Sequence, residues 1–470
     1  MADEKDKQGK TPGKLDRRDL LKGLSTVPAL GLFGYAWSKQ QAHREGVQAA
    51  AASPKAEPGL QEINVALLGA GAQGQVLMEA MLRIAGLKFR AVCDIWTDYN
   101  LKRVINTLKR FKHEPNAYED YRELLDKEKQ LDAVIIATPD FWHAEHTIAC
   151  LKAGKHVYCE KEMSNTLEGA KSMVRAQRET GKLLQIGHQR RSNPRYIHAY
   201  NKLLGEAKLL GRIVTVNGQW NRAVTPDLGA PERYAIAPDK LKKYGFKDMH
   251  QFRNWRWYKG KGGGPIVDLG SHQIDVYSWF LKANPSGVMA RGGQLYHDPA
   301  THEWYDTAMV VYDYDTPLGA AQAFYQTQTT NGSQGYYESF MGDQGTLLIS
   351  ESEVNYPGLL YRDPNAPAWD EWIGKGYITA PKEQEAKEKA EGAVTDVRES
   401  APPDQHGVPI SLRDPYHQPH LQNFFNAVRG KGTLNCPAEI GYETAVAVLK
   451  VNEAIEAKTR LAFTPEEFKI

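Results

Sequence analysis

The segment from Gly262 to Asp275, GGGPIVDLGSHQID, carries two carboxylates and an imidazole at Asp268, His272 and Asp275. Their i, i+4, i+7 spacing puts all three on one face if the segment is helical. Three chemistries fit such a face. A histidine beside a carboxylate can act as an acid–base pair, because imidazole changes charge near neutral pH and a carboxylate can orient it. The same groups are metal ligands. The third reading is structural, with Asp268 capping a helix and His272 filling core. Three glycines and Pro265 ahead of these residues mark a turn where backbone can approach a ligand closely before a helix begins.

A second constellation lies nearer the amino terminus. Gly69, Gly71, Ala72, Gln73 and Gly74 form a G-x-G-x-x-G turn, directly after the apolar run INVALL and before the helical pattern QVLMEAMLRI. Such a turn lets backbone approach a pyrophosphate at a helix amino terminus, where free N–H groups and the helix dipole favour negative charge. Asp94 ends the next apolar run, about 20 residues beyond the last glycine, where an acid binds ribose hydroxyls. A carboxylate there repels a 2′-phosphate, and Arg90 precedes it, so NAD is favoured over NADP. His143 with His146, and His417 with His420, have helical i, i+3 spacing. Catalytic zinc takes three protein ligands, and neither pair has a third nearby, so no metal is expected.

Alternating segments must position these groups. KFRAVCDIW, LDAVIIATP and KHVYCEK read as strands, with NLKRVINTLKRF and WHAEHTIACLKAG as helices between them. The alternation predicts a Rossmann-type, doubly wound parallel sheet over residues 61–190. Beyond it, GRIVTVNGQW, TAMVVYDYD and GAAQAFYQTQTT are longer strands with few helices between them. They predict an α+β domain over 191–470 with an open, mostly antiparallel sheet. Two stretches, 221–264 and about 351–410, read as long surface excursions. The first is rich in aromatics, including Trp255, Trp257 and Tyr258, whose faces suit the C–H surfaces of sugars and equally suit ordinary packing. Arg190 follows the last strand of the first sheet, near the expected crevice.

The chain has 470 residues, 41% of them hydrophobic and 25% charged, with a formal charge of +2. That balance points away from disorder, a nucleic-acid footprint or an acidic partner, and towards a small ligand. Cys93, Cys150, Cys159 and Cys436 show neither disulfide-framework nor zinc spacing. Residues 1–60 combine Arg17 and Arg18 with an apolar run from Leu24 to Trp37 and a polar, Ala-rich linker, a pattern resembling a twin-arginine export signal. It leads us to expect a periplasmic protein, cleaved from its signal or anchored in the inner membrane by it.

The ordered set GAGAQG, ATPDFWHAEHTIACLKAGKHVYCEK, GGGPIVDLGSHQID, GDQGTLLIS and HLQNFFNAVRG resembles the Gfo/Idh/MocA oxidoreductases, the family of glucose-fructose oxidoreductase and inositol dehydrogenase. The resemblance runs from about residue 62 to the carboxyl terminus. It implies that Thr138, Pro139, His143, Glu160 and Lys161 border the cofactor, and that Lys161 is a catalytic lysine between nicotinamide and substrate. The family's Glu-Lys-Pro here ends in Glu162. The family's D-x-G-x-H falls on Asp268, Gly270 and His272.

On this basis His272 takes the proton of a secondary alcohol, Asp268 orients it or holds a neighbouring hydroxyl, and Lys161 stabilises the developing alkoxide. Arg190, Trp255, Trp257, Tyr258, Asp275 and His420 are candidate substrate contacts. The expected activity is NAD-dependent oxidation or reduction of a sugar, cyclitol or glycoside hydroxyl. Export would require the NAD to be tightly bound. Two alternatives stand beside it: a redox-neutral NAD-dependent glycoside hydrolase working through a transient ketone, outside the usual two-carboxylate scheme, and a non-enzymatic sugar- or NAD-binding sensor. Relatives' use of the open sheet face implies a homo-oligomer, dimer or tetramer.

Overall fold

The computed structural model describes residues 59–381 and 403–470. The first sheet and its helices run β1 (Ile63–Leu68), α1 (Ala72–Met81), β2 (Leu87–Cys93), α2 (Lys102–Arg110), β3 (Asn116–Tyr118), α3 (Tyr121–Lys127), β4 (Ala133–Ile136), α4 (Asp140–Lys152), β5 (His156–Cys159), α5 (Leu167–Thr180) and β6 (Leu184–Ile186). The strand order is β3-β2-β1-β4-β5-β6, and every pair is parallel. Helices cover both faces, so the central strands read as unbroken apolar runs; all four residues of β4 are buried. The order reverses between β1 and β4. That switch point opens a crevice at the carboxyl ends of the strands, where ligands of such sheets bind.

After α6 (Pro194–His198) come β7 (Ile213–Asn221), α7 (Pro238–Lys243), α8 (Met249–Arg253), α9 (Gly264–Asp268), α10 (Gly270–Leu281), β8 (Pro285–Gly293), β9 (Thr307–Thr316) and β10 (Gly319–Gln328). The remainder is β11 (Tyr336–Gly342), β12 (Gly345–Ile349), β13 (Leu359–Arg362), α11 (Asp370–Gly374), β14 (Asp404–Gly407), α12 (Gln418–Val428), α13 (Ala438–Ala457) and β15 (Leu461–Ala462). Nine strands form one sheet in the order β14-β13-β12-β11-β7-β10-β9-β8-β15. Only β7 and β10 pair in parallel. Alternation sets its inner face: Ala308, Val310, Tyr312 and Tyr314 of β9 and Ala321, Ala323 and Tyr325 of β10 are buried. Against that face lie α10 and α13, with Tyr277 Oη donating to the Phe324 carbonyl at 3.0 Å and Tyr312 Oη to that of Ala447 at 3.0 Å.

The sheets match the expected fold class; three other expectations need correction. The segment carrying Asp268, His272 and Asp275 is two helices, because the backbone breaks at Leu269 (φ −100°, ψ −46°) between α9 and α10. The three side chains have different partners: Asp268 meets Lys161, His272 packs on Trp220 and Asp275 pairs with Arg191. The stretch 221–264 is more than a surface excursion: its Ile236, Leu241, Tyr244, Phe246 and Trp255 build a small core around Trp96. The indole Nε1 of Trp96 donates to the Tyr234 carbonyl at 2.5 Å, and Lys240 pairs with Glu119 at 2.6 Å. Finally, the expected location with an inner-membrane anchor is corrected. Among the described residues no helix is long and apolar enough to cross a membrane, and the arginine-led segment lies outside them.

Candidate active site

The glycine turn divides its labour. Gly69 has φ +96°, and a Cβ there would sit 2.6 Å from the Ala137 carbonyl oxygen; one on Gly74 would sit 1.9 Å from that of Gly69. Both glycines are required by packing within the turn. Gly71 is different, since a Cβ there would meet nothing nearer than Asn100 Nδ2 at 4.0 Å. Gly71 is also the N-cap of α1, and no side-chain cap takes the helix's first N–H groups. This is the geometry a pyrophosphate needs. Asp94 accepts from Ala70 N–H and Trp96 N–H, each at 2.7 Å, one on each oxygen. Burial raises its pKa against those bonds. The Asn100 side chain also hydrogen-bonds this carboxylate, which as an acceptor of up to about four bonds retains capacity for a ribose hydroxyl. Arg90 is turned away, donating to Asn64 at 2.6 Å.

Thr138 and Pro139 form the turn into α4, and His143 braces it. Its Nε2 lies 2.7 Å from the Thr138 carbonyl and its Nδ1 2.7 Å from that of Glu162, while burial lowers its pKa to about 4. The Lys161–Glu162 peptide that it supports is cis. Glu160 accepts from Tyr158 Oη at 3.2 Å, and burial lifts its pKa to about 6. Gln73 reaches back from α1, its Nε2 3.0 Å from His417 Nε2.

Lys161 meets the second sheet's helices directly. Its Nζ donates to the Asp268 carbonyl at 2.5 Å and lies 3.4 Å from Asp268 Oδ1. Arg256 Nε donates to the same Oδ1 at 3.0 Å. Burial pushes the Asp268 carboxyl up, but Arg256 and Lys161 outweigh it and hold the group well below the usual carboxylate range. Asp268 caps no helix; no side chain caps α10. Nor does it orient His272, which packs its ring against Trp220 at 5.1 Å and leaves Nδ1 buried without a partner. Burial, followed by the charge of Lys161, keeps His272 well below its ordinary pKa and hence neutral. Two residues not anticipated as cofactor or substrate contacts come close enough for Lys161 to depress them further: His188, with neither ring nitrogen partnered, and His417, each with pKa near 4 through burial first.

Other expected contacts lie elsewhere. Asp275 is tied to Arg191, whose Nε and Nη2 donate at 2.9 and 2.8 Å, and to Thr444 Oγ1 at 2.9 Å. Arg190 is buried in an ion-pair network with Glu338 and Glu351. His420 anchors α12, with Nδ1 2.6 Å from Ser192 Oγ and Nε2 2.8 Å from the Ile186 carbonyl. Trp255 and Tyr258 are buried, the latter's hydroxyl 2.7 Å from His250 Nδ1, and Trp257 packs on His302 at 4.2 Å. Among the described residues no group of three or more His, Cys, Asp or Glu is arranged to hold a metal ion.

Residues 63–188 match the model described as "Oxidoreductase family, NAD-binding Rossmann fold", and residues 201–348 match the "GFO/IDH/MocA C-terminal domain". The chain belongs to the Gfo/Idh/MocA oxidoreductase family. Among the curated members it resembles are the scyllo-inositol 2-dehydrogenase (NADP(+)) of Bacillus subtilis, 29% identical over 49% of this chain and 55% of that one, and the levoglucosan dehydrogenase of Pseudarthrobacter phenanthrenivorans, 27% identical over 47% and 52%. The chain thus spans about half the length of the curated relatives it matches. In fold it is similar to the WlbA dehydrogenase of Chromobacterium violaceum, solved with NADH and UDP-GlcNAcA (TM-score 0.62, 20% identity, covering 87% of this chain and 97% of that one). A levoglucosan dehydrogenase in complex with NADH is alike to TM-score 0.61 at 18% identity, covering 86% of this chain and 100% of the other. The Gfo/Idh/MocA architecture accounts for why Lys161, at the carboxyl end of β5, faces α9 across the crevice.

Proposed function

We propose that this protein oxidises or reduces a secondary hydroxyl of a sugar, cyclitol or glycoside with tightly bound NAD. The observation that carries the reading is the pairing of Lys161 with Asp268 at the carboxyl edge of the first sheet, beside an open, uncapped glycine turn. Gly69, Gly71, Ala72, Gln73 and Gly74 would cradle the pyrophosphate and Asp94 the adenosine ribose. Thr138, Pro139, His143 and Glu160 would shape the nicotinamide side. NAD, when bound, supplies the hydride acceptor.

The chain's own groups do the rest. Asp268 stays ionised and, with Oδ1 taken by Arg256 and Lys161, offers Oδ2 to a substrate hydroxyl. The Lys161 ammonium stabilises negative charge growing on the reacting oxygen. Neutral His272 accepts the hydroxyl proton in oxidation and returns it in reduction. The related dehydrogenases of inositols and levoglucosan act on polyols by their names, which supports a polyol here. The reading includes a homo-oligomer, supported by Met289 and Met309, 54% and 50% exposed on the uncovered face of the nine-stranded sheet.

The test is a panel of inositols, hexoses, anhydrohexoses and aryl glycosides offered to NAD-loaded protein, following nicotinamide absorbance and aglycone together. Reduction of nicotinamide by at least one polyol supports the reading. Aglycone release without net reduction would move it to the redox-neutral hydrolase, and inertness towards all of them would end it.

A further inference from the structure

The stretch between β7 and α9 makes contacts on both sides of the crevice. On one side Trp96, Glu119, Trp142 and Asn165, which follow β2, β3, β4 and β5 in turn, hold it: Trp142 Nε1 donates to the Tyr244 carbonyl at 3.3 Å and Asn165 Nδ2 to that of Gly260 at 3.1 Å. On the other side the loop between β8 and β9 holds it, with Trp304 Nε1 donating to the Gly262 carbonyl at 2.7 Å and Lys259 N–H to Glu303 at 2.7 Å. This strap therefore lies across the edge where the cofactor would bind, and Arg256 is the residue it sends into the reacting centre. The guanidinium lies over the Trp255 ring at 4.3 Å and meets Asp268 Oδ1 through Nε at 3.0 Å. Its side chain is 44% exposed, so water is available to it, and its place against Asp268 depends on the strap that carries it.

We propose that Arg256 is a positioning residue for the reaction proposed above: by binding Asp268 Oδ1 it turns Oδ2 towards the substrate and steadies the α9 carbonyl on which Lys161 rests. The inference depends on that functional reading for its kinetic consequence but not for its geometry. A planar, delocalised cation fits the role because Nε can hold one carboxylate oxygen while the rest of the group stays stacked on Trp255. A lysine there reproduces the charge without the directed bond.

The test uses full-length Arg256→Ala and Arg256→Lys loaded with NAD. Turnover of the best polyol should fall about 10- to 10²-fold in Arg256→Ala, the worth of one charge-assisted hydrogen bond, and by a similar factor in Arg256→Lys. Millimolar guanidinium should restore part of it in Arg256→Ala alone. The acid limb of kcat/KM should move to higher pH in Arg256→Ala, because Asp268, left with Lys161 and Arg222, loses a cation that keeps it ionised, and Asp140, which faces the same guanidinium, is released upward with it. NADH affinity, read by fluorescence, should stay near wild type. Wild-type turnover with an unmoved acid limb, or a loss that guanidinium does not touch and that leaves the limb in place, would overturn the proposal. If even the wild type acts on nothing in the panel, the functional reading fails separately. Hydrogen exchange then decides this one: amides of 266–269 should exchange faster in Arg256→Ala and recover with guanidinium, and unchanged exchange would refute it.

Discussion

The glycine turn and the reacting centre are a few ångströms of chemistry built in opposite ways. Backbone makes the turn: residues 69–74 and Asp94 lie within one β-α-β unit, and their roles follow from missing side chains and free N–H groups. The proposed centre is made of side chains from six separate places, Lys161 after β5, His188 after β6, Arg256 on the strap, Asp268 on α9, His272 on α10 and His417 before α12. Local construction should tolerate loss of side chains and fail on their addition. The long-range centre should do the reverse.

The largest effect expected is on the centre. Lys161→Met should lower turnover by about 10²–10⁴-fold, the range for a group acting on charge in the transition state, with NADH affinity close to wild type by fluorescence titration. An equal loss of affinity and turnover would mean that Lys161 belongs to the cradle instead. Next, Gly74→Ala should disrupt the turn itself, since its Cβ would overlap the Gly69 carbonyl oxygen, and should destabilise the protein by about 1–3 kcal/mol in denaturant titration. Gly71→Ala, with room for its methyl group, should keep wild-type stability and lose NADH affinity. Equal behaviour of the two glycine variants would erase the distinction between packing and ligand approach.

A smaller and more diffuse effect is expected with pH. Burial holds His143, His188 and His417 near 4 and His146 and His420 near 3, so the folded chain refuses protons that the unfolded chain takes up near 6.5. Their contribution is lost as pH falls from about 6.5 towards 4. Asp140 is raised to about 7 and Glu162 to about 8, again by burial, so the folded chain keeps protons the unfolded one has released. That contribution fades as pH rises through the same range and on to 8. Above about 6.5 only the carboxyls act, so melting temperature should decline from there to pH 8. A calorimetric melting temperature that still climbed between pH 7 and 8 would show that these carboxyls are ionised in the folded protein.

The smallest effect separates anchor from site. His420→Ala should lower stability by about 1–3 kcal/mol, for its lost bonds to Ser192 and Ile186, while leaving kcat/KM of the folded protein within a few-fold of wild type.

The same contrast explains what could be read before the fold was known. Strand-glycine-helix order and the acid after β2 are short-range patterns, so the parallel sheet and the glycine turn were legible, as were the second sheet's alternating strands. Asp268 and His272 were recognisable as residue types, but their partners were not. Those partners come from other parts of the chain: Asp268 meets Lys161 and Arg256, and His272 lies against Trp220. Arg256 stood among aromatics in NWRW, where a lone cation over a crevice has the same sequence signature as one on a surface. His417 was read as half of a pair with His420, yet the helix start between them turns one to Gln73 and the other into core. Asp275 and Arg190 drew attention by charge and proved to be halves of buried ion pairs, whose partners lie 84 and 148 residues away.

In the proposed reaction hydride crosses between NAD in the glycine turn and a carbon held at Lys161. Its most direct test is a single turnover of NAD-loaded protein with a reactive polyol, made with hydrogen or with deuterium at the carbon oxidised, followed by nicotinamide absorbance. Reduced nicotinamide should appear up to one equivalent per site, formed more slowly from the deuterated polyol and almost not at all in Lys161→Met. Protein that binds NAD firmly yet passes no hydride in either direction, with any polyol of the panel, would contradict it.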